Sequence, residues 1–107
     1  MPVYERLGDV RSKAVTLFKI ARIEQKREQL VEAFGHLAES YEIFTKLNIP
    51  NGLAAVGELY GQMLLSRGER EKGFAILEIA RDAANLLGWT EDAERVQDLI
   101  HREQIPT

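Results

Sequence analysis

The stretch "EAFGHLAE" sets Glu32, His36 and Glu39 at i, i+4 and i+7. On a helix these three share a face, and two carboxylates with an imidazole could ligate a divalent cation. Di-iron bundles instead pair Glu-x-x-His on two helices with further glutamates. Here the order differs and no second pair exists, so the set reads as a solvated helix face. The second histidine, His101, lies far away in sequence. Ser12, Ser40 and Ser66 sit in contexts that local repetition explains. There is no cysteine, hence no thiol nucleophile, thiolate metal site or disulfide framework. No glycine-rich phosphate loop follows a strand pattern. The residues therefore point to no enzyme, no cofactor and no metal.

Charge is the other chemistry on offer. Arg11, Lys13, Lys19, Arg22, Lys26 and Arg27 face only Glu24 in the first helical stretch. Near the end, Glu91, Asp92, Glu94, Asp98 and Glu103 outnumber Arg95 and Arg102. A charge run is ordinarily a solvated face; the functional reading is a surface that attracts an oppositely charged partner. The net charge of -3 gives no reason to expect nucleic acid. No run approaches the about 18 apolar residues of a membrane span, and "MPVYERLGDV" lacks the basic start and apolar core of a signal peptide. A cytoplasmic location, with no membrane partner, is the default expectation. Apolar residues at 45% and charged ones at 29% suit one soluble globular domain.

The elements that position these residues repeat. Leu7-Gly8, Leu47-Asn48 and Leu87-Gly88 recur at equal steps, since 47 − 7 equals 87 − 47. Gly and Asn best tolerate the left-handed conformation that ends a helix, so each pair reads as a last apolar residue and its stop. Between the marks Ala14 matches Ala54, Ala21 matches Gly61, Ala33 matches Gly73, Phe34 matches Phe74 and Leu37 matches Leu77, while Ile20 faces Tyr60 and Ser40 faces Ala80. Such self-similarity signals stacked units. Each unit is a helical hairpin. The first helix is expected over about 11–26, with Leu17, Ile20, Ala21 and Ile23 apolar and Asp9 as cap. The second is expected over about 29–46, with Leu30, Ala33, Phe34, Leu37, Ala38, Tyr41 and Phe44 on a wide apolar face. Pro50 opens the next helix and Gly68 breaks that hairpin. Thr90 is expected to cap the last helix, with Glu91 and Asp92 against its positive end; Ala93, Val96, Leu99 and Ile100 form its apolar side. Trp89 reads as a staple onto the preceding hairpin.

Leu17–Ile20–Ala21 followed by Ala33, Leu37 and Ser40, and Tyr60–Gly61 followed by Gly73, Leu77 and Ala80, resemble the tetratricopeptide repeat (TPR) family. The period of roughly 40 is similar to the subtype of LGN-type scaffold proteins and their bacterial relatives. The resemblance implies an all-α, TPR-like α-solenoid of antiparallel hairpins with a C-terminal capping helix. Its parts would be a remnant of a preceding repeat (1–8), two repeats (9–48 and 49–88) and a cap with tail (89–107). Glu24 stands where the family carries a large apolar residue, and Gly57 replaces another. His101 aligns with the close-approach positions Ala21 and Gly61, which suits a helix with no further helix against it. Residues 1–8 align with the ends of the second helices, so the chain is either the C-terminal piece of a longer repeat protein or a small protein that completes its N-terminal face with a partner.

The resemblance implies a non-catalytic protein–protein interaction module, part of a larger scaffold or signalling protein. First helices line a concave groove in this family, so Val15, Phe18, Arg22, Lys26, Glu58, Gln62 and Leu65 would face a peptide or partner domain. Phe18 and Leu65 would supply apolar contacts, and Arg22 and Lys26 would attract carboxylates. The chaperone-binding carboxylate clamp of some members is not visible, since Leu59 occupies one of its places. The alternative is self-assembly into a homodimer or larger homo-oligomer. A neighbouring chain would complete the truncated first unit through Val3, Tyr4 and Phe18, or basic and acidic ends would meet.

Overall fold

The computed structural model describes residues 7–104, and Leu7 by its backbone alone. Among these residues the chain is all-helical: α1 (Leu7–Lys26), α2 (Leu30–Leu47), α3 (Pro50–Ser66), α4 (Arg70–Leu87) and α5 (Thr90–Gln104). It divides into two units at Ile49 and Pro50. In the first, α1 packs on α2; in the second, α4 packs on both α3 and α5.

The connections between helices are two or three residues long, and each contains one left-handed residue. Glu28 (φ 61°), Asn48 (φ 54°), Gly68 (φ 86°) and Gly88 (φ 77°) fall at equal steps along the chain. The same hydrogen-bond pair closes all four helices. The amides of Gln29, Ile49, Glu69 and Trp89 reach back to the carbonyls of Glu24, Phe44, Leu64 and Ala84 at 2.8–3.1 Å. Those of Glu28, Asn48, Gly68 and Gly88 donate to Gln25, Thr45, Leu65 and Asn85. This is the Schellman arrangement, which satisfies carbonyls that a helix end otherwise strands. The repeat seen at 48 and 88 therefore has a companion at 28 and 68. The sequence hid it because Glu28, which is sterically strained in this conformation, stands where Gly68 stands in the second unit.

Two expected boundaries differ. Leu7 and Gly8 are not a helix stop: both belong to α1, and Gly8 is absent from the positive-φ residues. Asp9 accordingly lies in the first turn of α1 rather than ahead of it, where its charge still faces the positive helix end. The rest of the expected remnant, residues 1–6, lies outside the described residues. Thr90 is the first residue of α5 rather than its cap; the Trp89 carbonyl accepts the amide of Ala93 at 2.9 Å, so the cap position is Trp89.

Each hairpin closes on small residues. In the first unit Ala14, Ala21, Ala33, Leu37 and Ser40 are fully buried. The Ser40 hydroxyl, buried where Ala80 stands in the other unit, donates to the Ala14 carbonyl at 2.8 Å and ties α2 to α1. In the second unit Gly61 and Gly73 mark the crossing of α3 and α4. A Cβ on Gly61 would meet Leu77 Cγ at 2.6 Å, and one on Gly73 would meet Leu65 Cδ2 at 2.8 Å. The side chains of Leu65 and Leu77 occupy the room that the glycines leave, which lets the helices approach this closely. Leu77 also packs with Val96 and Ile100 of α5, flanked by Leu65, Phe74 and Leu99. A second cluster of Ala54, Ala83, Ala84 and Ala93 is covered by Leu53, Leu87 and Trp89, so Trp89 does staple α5 to its own unit. His101 is exposed, unlike Ala21 and Gly61 at the matching positions.

Candidate functional site

The residues expected to line one groove fall in both units, and each set has its own setting. On α1, Val15, Arg22 and Lys26 are exposed and Phe18 is half-buried. The Arg22 guanidinium lies over the Phe18 ring at 5.8 Å, an attraction between a cation and the negative face of an aromatic ring. Helical spacing puts Arg11, Val15, Lys19, Arg22 and Lys26 on one edge of the helix, at steps of three or four residues. Neither Arg22 nor Lys26 forms an ion pair with another described residue. This edge can hold carboxylates against a small apolar floor of Val15 and Phe18.

On α3 the setting is different. Both oxygens of Glu58 are taken by Arg95 of α5, at 2.6 and 2.8 Å, a bidentate carboxylate–guanidinium pair. Asp92 accepts a further bond from Arg95 at 3.1 Å. The hydrogen bond to Glu58 raises the arginine pKa beyond its ordinary value; burial opposes it, and the charge of Glu58 with the bond and charge of Asp92 add to the rise. Glu58 is thus a structural fastener between α3 and α5. Gln62 and Leu65 line a shallow cleft of about 160 Å³ with Ser66, Leu99 and Glu103. Of the groove residues expected in the second unit, these two alone border open space together, and they do so against α5.

α5 is fastened at two more points. Arg81 donates to Gln97 at 2.8 Å, and Arg70 donates to the carbonyl of Glu103 at 2.6 Å. Arg70 thereby caps the end of α5 while its guanidinium sits over the Phe74 ring at 5.1 Å. No spacing rule in the sequence pointed to the Arg95–Glu58 pair, because its partners lie far apart in the chain and meet only through helix packing.

The imidazole of His36 lies at the contact between α1 and α2 rather than on a fully solvated face. His36 Nδ1 lies 2.7 Å from Glu24 Oε1, joining α2 to α1. Both are partly buried, with the Glu24 side chain 14% exposed and that of His36 35%. Glu39, the other end of the triplet, pairs with Lys13 at 3.3 Å, and Glu32 is exposed. His36 and Glu39 are therefore drawn to different partners, and Glu32 stays exposed. The signal for the Glu24–His36 pair lay in the repeat: their counterparts in the second hairpin are Leu64 and Ile76, both buried. Two polar residues at matching buried positions of one hairpin are readable as each other's partner.

Of the residues expected to form a self-assembly interface, Phe18 is half-buried beneath Arg22; Val3 and Tyr4 lie outside the described residues. Among the described residues no helix is long and apolar enough to cross a membrane. Comparison with protein-family models, with curated proteins and with solved structures returned no match for this chain.

Proposed function

We propose that this chain is a non-catalytic protein–protein interaction module built on TPR-like helical hairpins in solenoid order, and that the α1 edge takes an acidic peptide or partner domain. The observation that carries the reading is the α1 edge itself. Arg22 and Lys26 are exposed, lack an anionic partner among the described residues, and flank Val15 and Phe18. Such a surface suits an extended or helical segment that combines carboxylates with one apolar anchor. The TPR assignment draws its support from the left-handed residues at 28 and 68 and at 48 and 88, and from small residues at matching buried positions. The role within a larger scaffold or signalling protein follows from that assignment alone.

The test is fluorescence anisotropy with labelled acidic peptides carrying one aromatic residue, and basic peptides as controls. Acidic peptides should bind at low salt, and Arg22→Glu with Lys26→Glu should abolish the binding. Binding that ignores both substitutions would remove the α1 edge from the interaction. The Glu58→Gln variant should leave peptide affinity unchanged, because its carboxylate is engaged by Arg95.

A further inference from the structure

Two helices of this chain carry charge of opposite sign in one and the same pattern. On α1, Lys19, Arg22 and Lys26 stand at i, i+3 and i+7, all exposed. On α5, Glu91, Glu94 and Asp98 stand at i, i+3 and i+7, all exposed. None of the six forms an ion pair with another described residue. Some other charges do find partners within the chain: Lys13 with Glu39, Lys46 with Glu42, Arg67 with Glu69, Arg81 with Asp82 and Arg95 with Glu58.

Like charges three and four residues apart on a helix repel, so each triad weakens its own helix slightly when left alone. At about 1.5 Å per residue each spans about 10 Å of helix axis, close to the Debye length of about 10 Å at 0.1 M salt, so the charges act as a group. The fasteners of α5 also fix which side is turned outward. Arg95, Gln97 and the Glu103 carbonyl are bound to Glu58, Arg81 and Arg70, and Ala93, Val96 and Ile100 are buried. The three carboxylates remain on the open side.

We infer that the α1 edge of one copy docks the α5 edge of a second copy, with Lys19, Arg22 and Lys26 opposite Glu91, Glu94 and Asp98. The inference rests on the reading of α1 as a docking edge and names its occupant. Identical spacing lets a parallel pair of helices set each cation opposite a carboxylate, which relieves the repulsion within both triads. The two surfaces differ, so the contact is heterologous: each copy offers one edge of each kind, and the assembly either closes on itself or continues.

The decisive experiment is light scattering after size exclusion on the full chain, across protein concentration, at low salt and at about 1 M salt, where the Debye length falls to about 3 Å. Mass should rise with concentration at low salt and return to the monomer at high salt. The Arg22→Glu, Lys26→Glu variant and the Glu94→Lys, Asp98→Lys variant should each be monomeric alone. An equimolar mixture of the two should associate again, because each now complements the other; recovery in the mixture also shows that both variants are folded. Association that survives high salt or either reversal would overturn the inference. So would a wild-type monomer at every concentration. If that monomer still binds acidic peptides through Arg22 and Lys26, the second copy is the wrong occupant and the interaction module stands. If it binds neither, both readings fall.

Discussion

The hairpin of α1 and α2 and the hairpin of α3 and α4 follow one plan and close by different physics. In the first, the crossing uses Ala21 and Ala33, and three polar links join the helices: Ser40 to the Ala14 carbonyl, His36 to Glu24, and the exposed pair of Lys13 and Glu39. In the second, the matching positions are Gly61 and Gly73, Ala80 and Ala54, and Ile76 and Leu64, with no polar atom among their side chains. There closeness of approach and apolar burial do the same task, and α5 adds a third layer through Val96 and Ile100. Polar links are directional and fix which atoms meet, whereas apolar packing rewards volume and tolerates sliding until a side chain collides. The first hairpin is thus specified by bonds and the second by shape.

The sharpest way to break the comparison is to exchange the small residues at the crossing. Gly61→Ala places a methyl group 2.6 Å from Cγ of the fully buried Leu77. Overpacking of this kind costs typically about 1–3 kcal/mol, set against about 1 kcal/mol gained in helix propensity. The net should remain destabilising, because the obstructing atom is a branch point and not a free end. The reverse exchange in the first unit, Ala21→Gly, should cost only about 1 kcal/mol. Urea unfolding, read with hydrogen exchange in each unit, compares the two. Equal effects would mean that both crossings are equally close.

Next in size is the polar link. His36→Ala should destabilise the first unit by about 1 kcal/mol, since it leaves the partly buried Glu24 carboxylate without its partner. Replacing both residues by their counterparts, Glu24→Leu with His36→Ile, should restore or exceed wild-type stability, as paired apolar replacements of buried polar pairs often do. A double variant weaker than His36→Ala would show that the link does more than fill the site. Last comes the turn. Glu28→Gly should stabilise the first unit by about 1 kcal/mol by removing a left-handed non-glycine residue, visible as an upward shift in Tm.

The sequence disclosed most of this fold because the punctuation was chemical. Asn48 and Gly88 marked two helix ends, Gly68 a third, and Pro50 a start. It misled at Gly8, where an isolated Leu-Gly pair matched the period yet lies inside α1: glycine permits a positive φ without imposing one. It was silent at Glu28, whose conformation the turn imposes against the residue's own preference. The functional residues were legible in part. The cations of α1 could be read as exposed from helical spacing, but the engagement of Glu58 by Arg95 could not, because it depends on how α5 lies against α3. In the sequence Glu24 reads as a departure from the apolar pattern and His36 as part of a solvated face. Only their distance makes them one feature.

The regular chain reversals have a consequence for attack from outside. A protease must draw an extended stretch of substrate into its cleft, and the connections between these helices offer only two or three residues, each tied back by the bonds that end the preceding helix. Cleavage between α1 and α5 therefore has to await the unwinding of a helix end, and its rate reports how often each turn opens. The turn at Glu28, lacking the glycine of its counterpart at Gly68, is where the first cut in this interior should fall.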